Sequence, residues 1–257
     1  MSHVSKNLTD ILLKIETAYQ SSPSVGQKLC RLVAVSKEKP IQSIIEAYVA
    51  GQRHFAENKI VHLFEKSHSS EVIKCCPDIK WHFIGRIQTN KIKKLAGVNN
   101  LYMVETVDSI DHAQVLDSAW GSIHHTPLNI MIQVNTSDEP QKGGIKPSDV
   151  VDLHKQIEAK CLNLRVVGLM CIGREAVDIA AGPNPDFLKL VECRQILASS
   201  LKKSPLDFEL SMGMSDDFEH AIHLGSTNVR IGTSIFGPRK SHYVTQRHVT
   251  DDEKTST

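Results

Sequence analysis

Apolar residues along the chain follow two alternating patterns, one with helical spacing and one of short unbroken runs. Near the start, apolar side chains at every third or fourth position predict an amphipathic helix over residues 5–20. The four apolar residues at 32–35 predict a buried strand, since a strand covered on both faces reads as a continuous apolar run. Helical spacing resumes after Pro40, a residue that the first turn of a helix tolerates.

Eight strands are predicted in all, and predicted helices separate most of them. The other seven predicted strands lie at 54–57, 81–85, 101–105, 128–134, 164–172, 208–212 and 229–235. The clearest intervening helices are predicted over 148–160 and 186–201. Because neighbouring parallel strands need a crossover connection, this alternation predicts a parallel sheet.

Two architectures fit such a sheet, an open doubly wound sheet and a closed (β/α)8 barrel. Eight strands in 257 residues, close to the ~250 residues typical of the barrel, favour closure. We therefore predict an α/β fold, a single (β/α)8 TIM-type barrel domain over residues 1–240 with an extra N-terminal helix. Residues 241–257 are mostly polar and predict a frayed C-terminal tail.

Charge and composition exclude several classes of partner. The chain has 30 Lys and Arg against 29 Asp and Glu, a formal net charge of +1, so it lacks the charge excess typical of nucleic-acid-binding proteins. No apolar run approaches the ~18 residues of a membrane span, and the N-terminus lacks a signal-peptide core. The six cysteines lack metal-ligand spacing, which predicts reduced thiols, no metal site and a cytoplasmic location.

Two clusters of polar residues have a simple structural interpretation. The basic run at 91–94 is interpreted as the exposed face of a short helix. His220 and His223 lie one helical turn apart beside Glu219, so a metal pair and a solvated helix face are both conceivable. The solvated face is favoured, because no third ligand lies nearby.

Lys37 is the first candidate for chemistry. Active sites of (β/α)8 barrels lie at the C-terminal ends of the strands, and Lys37 directly follows the first one. Burial at the barrel mouth lowers the pKa of an amine and makes it nucleophilic enough to form a Schiff base with a carbonyl compound. An ordinary solvated lysine is the commoner case, and the lysine alone does not decide between the two.

Small polar residues after the seventh and eighth strands are the second candidate. Barrels often bind phosphate with these two loops, where Ser215 and Thr233 supply hydroxyl groups and Gly232 allows close approach of the backbone. The same residues also suit plain tight turns. A reactive amine together with a phosphate site points to a phosphorylated aldehyde, and pyridoxal phosphate is one.

At these residues the chain resembles the pyridoxal phosphate homeostasis protein family, also called the proline synthase co-transcribed homologue family. The likeness spans roughly residues 30–240, in the expected order. The matching stretches are 32–37 (Leu-Val-Ala-Val-Ser-Lys), 55–58 (Phe-Ala-Glu-Asn), 81–85 (Trp-His-Phe-Ile-Gly), 88–91 (Gln-Thr-Asn-Lys), 134–135, 142–144, 211–217 (Ser-Met-Gly-Met-Ser-Asp-Asp), 225–227, 229–233 and 235–237.

The resemblance implies a barrel like the N-terminal domain of bacterial alanine racemase, with pyridoxal phosphate bound at its mouth. Lys37 would hold the cofactor as an aldimine, and Arg230 would face the pyridine nitrogen. The phosphate would lie against Ser215, Gly232 and Thr233.

The resemblance also implies Asn58 as a pocket residue and shows three departures. The family usually has glycine where Ala56 stands, tyrosine where Lys59 stands and proline where Arg86 stands. All three lie near the loops after the second and third strands. They bear on the rim of the pocket and leave the attachment of the cofactor unaffected.

An arginine opposite the pyridine nitrogen favours a carrier over a catalyst. Arg230 stays charged, so it leaves that nitrogen unprotonated and makes the ring a poorer electron sink. The family relationship implies that racemases take their second base from an additional domain and a partner subunit. Here only about twenty mostly polar residues follow the last predicted strand, short of the ~50 of a small domain.

We therefore expect a monomeric, non-catalytic carrier and regulator of intracellular vitamin B6 (pyridoxal phosphate), with no catalytic residues. The expected partners are pyridoxal phosphate and the apo-enzymes that depend on it. Two alternatives stay open. One is a pyridoxal phosphate-dependent amino acid racemase or lyase, and the other is a Schiff-base aldolase acting on sugar phosphates.

Overall fold

A computed structural model of the chain describes residues 2–23, 29–174, 177 and 181–238. Eight parallel strands close into a barrel in sequence order, and the last strand pairs with the first. The strands are β1 (Arg31–Val35), β2 (His54–Glu57), β3 (Lys80–Phe83), β4 (Leu101–Val107), β5 (Leu128–Gln133), β6 (Leu164–Met170), β7 (Glu209–Ser211) and β8 (Asn228–Ile231). Closure through the β1–β8 pair confirms the predicted barrel and excludes the open sheet.

Helices cover the outside of the barrel. In the described part of the chain they are α1 (His3–Gln20), α2 (Ile41–Val49), α3 (Ile60–Ser67), α4 (Ser70–Cys75), α5 (Ile92–Ala96), α6 (Ile110–Gly121), α7 (Val150–Lys160), α8 (Pro185–Leu201), α9 (Phe218–His223) and α10 (Thr233–Phe236). The extra helix α1 packs against α2, α9 and α10. Its Asn7 side chain donates to the carbonyl of Ile235 at 3.1 Å, so α1 fixes the short helix after β8. None of the described helices is long and apolar enough to cross a bilayer.

The alternation of side chains along each strand divides the core in two. Leu32 and Ala34 belong to the large apolar cluster between strands and helices. Val33 and Val35 instead pack with Ala56 in a separate cluster inside the barrel. Successive residues of a strand point to opposite faces, so one unbroken apolar run serves both layers.

One strand prediction is wrong at its end. Residues 229–235 were expected as a strand, but β8 stops at Ile231 and a helix begins at Thr233. The carbonyl of Gly232 accepts hydrogen bonds from the amides of Ile235 and Phe236, at 3.0 and 2.9 Å. The predicted strands 164–172 and 208–212 also extend past the observed β6 and β7. The predicted tail 241–257 lies outside the described residues.

Candidate functional site

Five of the six sequence-predicted site residues line one cavity of about 240 Å³ at the C-terminal ends of β1, β7 and β8. They are Lys37, Ser215, Arg230, Gly232 and Thr233. Asn58 follows β2, is exposed and is not among the residues that line this cavity.

The backbone turn that carries Lys37 is held by a buried ion pair. The carbonyl of Ser36 accepts from the Lys39 amide at 3.0 Å and from Nζ of Lys66 at 2.9 Å. Nζ of Lys66 also lies 2.6 Å from Oε1 of Glu57, which accepts from the Ser36 hydroxyl at 2.7 Å. Glu38 has a φ of 62°, the left-handed conformation that closes the turn. The lysine at the cavity therefore sits on a rigid support.

Ser215 lies on a short turn whose shape depends on Gly213 and Asp217. Gly213 has a φ of 94°, and a Cβ there would lie 2.6 Å from the Cβ of Ala221. Oδ1 of Asp217 accepts from the Met214 amide at 2.6 Å and closes the turn. Burial raises the pKa of the Asp217 carboxyl, while the Met214 amide and the charge of Arg230 partly oppose that rise.

Gly232 joins β8 to α10 at a close approach to β1. A Cβ on Gly232 would lie 3.1 Å from the carbonyl oxygen of Val35, so a larger residue would push the two strands apart. Thr233 is the first residue of α10. The first amides of a helix have no intrahelical partner and favour an anion, so this end of the cavity suits a phosphate.

Arg230 forms the floor of the cavity. The residue is only 4% exposed. Nη1 donates to the Ser211 hydroxyl at 2.7 Å, and Nη2 donates to the carbonyl of Cys171 at 2.8 Å. With both terminal nitrogens anchored, the planar guanidinium has one orientation. It offers a fixed positive charge to an acceptor atom in the cavity.

These donors fit a phosphorylated aromatic aldehyde. Lys37 supplies an amine, Arg230 a buried cation, and Ser215 and Thr233 supply hydroxyl groups next to the start of α10. A larger cavity of about 610 Å³ lies at the N-terminal ends of β3 and β4, but no lysine or arginine lines it. Charge complementarity therefore favours the smaller cavity for an anionic ligand.

The structure gives His220, one histidine of the predicted pair, a structural role. Nε2 of His220 accepts from the amide of Asn184 at 3.0 Å and so joins α9 to the start of α8. Among the residues that the structure describes, no group of three or more His, Cys, Asp or Glu side chains could hold a metal ion.

Sequence reasoning missed the side chains that support the site. Glu57 lies in a stretch that matches the family. Nothing in the sequence of α3 indicated that Lys66 would pair with it. Ser211 lies in a stretch that matches the family, but its bond to Arg230 was not predicted. Each of these contacts joins different strands or helices, which spacing along the chain does not show.

Comparison with known proteins gives one consistent result. No known family model matches the chain. The chain is 50% identical over 212 residues to the human pyridoxal phosphate homeostasis protein, covering 81% of this chain and 76% of that protein. Its structure is similar to PipY of Synechococcus elongatus with pyridoxal phosphate bound, with a TM-score of 0.73 and 30% identity over 91% of this chain and all of that one. Alanine racemase from Corynebacterium glutamicum shares the fold, with a TM-score of 0.64 and 13% identity over 96% of this chain and 63% of that one.

Proposed function

Because the chain belongs to the pyridoxal phosphate homeostasis protein family, we propose that it binds pyridoxal phosphate at the barrel mouth and acts as a non-catalytic carrier and regulator of this cofactor. The observation that carries the proposal is the single cavity that Lys37, Ser215, Arg230, Gly232 and Thr233 share. Residues from three separate strand ends meet there with the chemistry that the cofactor requires.

Each of these five residues has a proposed role. Nζ of Lys37 would hold the aldehyde covalently, and Arg230 would donate to the ring nitrogen. Ser215, Gly232 and Thr233 bind the phosphate. When bound, the cofactor supplies a reactive aldehyde and a ring that can accept electrons. Arg230 holds the ring nitrogen unprotonated, which limits the second property.

The residues that line the cavity favour binding of pyridoxal phosphate over catalysis on amino acids. Of the described residues that line the cavity, none is a His, Tyr or Cys. Nζ of Lys39 donates to the carbonyls of Gly237 and Pro238, at 2.9 and 2.7 Å, which engages it in holding the rim. Racemisation needs a second base opposite the first, and the described lining has no His, Tyr or Cys to serve as one. Asn58 stays a prediction as a pocket residue, as do the single-domain boundary, the monomeric state and the cytoplasmic location.

Amino acid turnover by the loaded protein tests the carrier proposal. Purified protein is saturated with pyridoxal phosphate, freed of excess cofactor and incubated with amino acids, and separately with a pyridoxal phosphate-dependent apo-enzyme. We expect the apo-enzyme to gain activity and the amino acids to stay unchanged. Sustained racemisation or cleavage that disappears in Lys37→Ala would instead assign an enzyme.

Ser215→Ala is expected to weaken pyridoxal phosphate binding by about ten- to hundredfold, because a hydrogen bond to a charged group is worth ~1.5–3 kcal/mol. The non-phosphorylated aldehyde pyridoxal lacks the group that this hydroxyl contacts, so its binding should stay nearly unchanged. Two titrations, one with each aldehyde, measure the effect. Ser234→Ala is a matched control, since Ser234 lines a neighbouring groove and not this cavity. Equal losses for both aldehydes would leave Ser215 as a residue of a plain turn.

A further inference from the structure

A line of hydrogen-bonded polar side chains crosses the barrel interior from the Arg230 guanidinium. Beyond Arg230, the Ser211 hydroxyl donates to Oε2 of Glu105 at 2.6 Å. Oε1 of Glu105 lies 2.6 Å from Nδ1 of His82, whose Nε2 lies 2.9 Å from Nδ1 of His54. The five residues come from five different strands. Such a network stabilises a unique arrangement only where every buried polar group is satisfied.

Glu105 is the anion of this line. Its side chain is fully buried. Burial alone would raise its pKa, but the hydrogen bond from His82, the charge of Arg230 and the Ser211 hydroxyl together hold the pKa of Glu105 below its ordinary value. Glu105 is therefore ionised. At the far end, burial and the nearby charges of His82 and Arg31 lower the pKa of His54 to about 2, so His54 is neutral.

The Arg230 guanidinium can only donate, so it determines the direction of each bond between Arg230 and Glu105. A carboxylate only accepts, so the Ser211 hydroxyl must donate its one proton to Glu105. The oxygen of Ser211 then presents its lone pairs to Nη1 of Arg230, which can only donate. A serine without that acceptor would have several hydroxyl orientations. Among the described residues no carboxylate pairs directly with Arg230, so Glu105 is the anion bonded to it through one hydroxyl.

We propose that Glu105 is a positioning residue that acts through Ser211 to fix the Arg230 guanidinium toward the cofactor ring nitrogen. This assignment rests on the proposed function, since it needs pyridoxal phosphate in the cavity. Glu105 is not among the described residues that line the cavity. Its contribution is the acceptor that orders the Ser211 hydroxyl, whose oxygen in turn accepts from Arg230.

A pair of ligands that differ only at the ring nitrogen tests the assignment. Pyridoxal phosphate and its carbocyclic analogue, 1-deazapyridoxal phosphate, are titrated into wild type and variants, and the ratio of the two Kd values gives the preference for the ring nitrogen. Glu105→Gln keeps the side-chain shape but replaces the carboxylate by an amide, whose oxygen is a weaker acceptor for the Ser211 hydroxyl. We expect it to reduce the preference about fivefold, which corresponds to one net hydrogen bond of ~1 kcal/mol, with little change for the analogue.

Glu209→Gln is the matched control. Glu209 lies two residues before Ser211 on β7 and pairs with Arg31, 2.7 Å away, at the N-terminal end of the barrel. The same substitution there removes a carboxylate from the barrel without touching the line to Arg230. We expect the preference for the ring nitrogen to stay at the wild-type value.

A double-mutant cycle shows whether Glu105 acts through Ser211. Ser211→Ala alone should reduce the preference as Glu105→Gln does, and adding Glu105→Gln to Ser211→Ala should reduce it no further. Additive losses, or equal weakening of both ligands, would overturn the assignment. If Glu105→Gln does not fold, an unchanged preference in Ser211→Ala overturns it equally. Failure of wild type to bind pyridoxal phosphate overturns the proposed function itself, whereas binding with a preference that neither variant alters overturns this assignment alone.

Discussion

Lys37→Ala is expected to abolish covalent capture of pyridoxal phosphate completely. Lys37 lines the cavity on the turn after β1, next to the apolar side chains of Val35 and Ile84. An amine held at a fixed place beside a bound aldehyde reacts at high effective concentration, and removing the amine removes the bond. The visible absorbance of the linked cofactor and the mass added to a Lys37 peptide after borohydride reduction should both disappear.

The rest of the cavity should still bind the cofactor in Lys37→Ala. Arg230 and the phosphate-binding residues do not depend on the amine, so weaker, non-covalent binding should persist in equilibrium dialysis. Lys59→Ala is the matched control, because Lys59 is an exposed lysine after the neighbouring strand and does not line the cavity. It should retain full borohydride trapping. Trapping that persists in Lys37→Ala, at another lysine, would contradict the assignment of Lys37.

Lys66→Met is expected to lower the free energy of unfolding by about 3–5 kcal/mol, the usual cost of breaking a buried ion pair from one side. Glu57 is fully buried and the Lys66 side chain is 13% exposed. Without Nζ of Lys66, the Glu57 carboxylate would keep only the Ser36 hydroxyl as a partner, since its Oε2 has none. Denaturant unfolding followed by circular dichroism measures the loss.

Two further variants separate the ion pair from the loss of a lysine as such. Lys189→Met removes a lysine that lies 4.0 Å from Asp138 on the surface, and it should cost less than about 1 kcal/mol. Adding Glu57→Gln to Lys66→Met removes the buried carboxylate that has lost its partner, and it should recover part of the stability. A Lys66→Met protein as stable as Lys189→Met would show that the pair does not support the Lys37 turn.

The positions of the strands could be predicted because their signal is local. β1 shows this most clearly, because the unbroken apolar run at 32–35 lies in a strand that is buried on both faces. The end of β8 could not be predicted this way. Ile235 and Phe236 are apolar residues that suit a strand as well as a helix, but the Gly232 carbonyl and the contact from Asn7 hold them in a helix.

By itself the sequence determined the eight strands, the parallel alternation and the residues that follow β1, β7 and β8. Because parallel strands have their C-terminal ends at one face of the sheet, the sequence also predicted that Lys37, Ser215 and Arg230 lie near each other. Only the tertiary structure decided closure of the barrel, the absence of Asn58 from the described cavity lining and the supports of Lys37 and Arg230. Ser211 and Glu105 are 106 positions apart, and their contact exists only because closure sets the register of every strand across the interior.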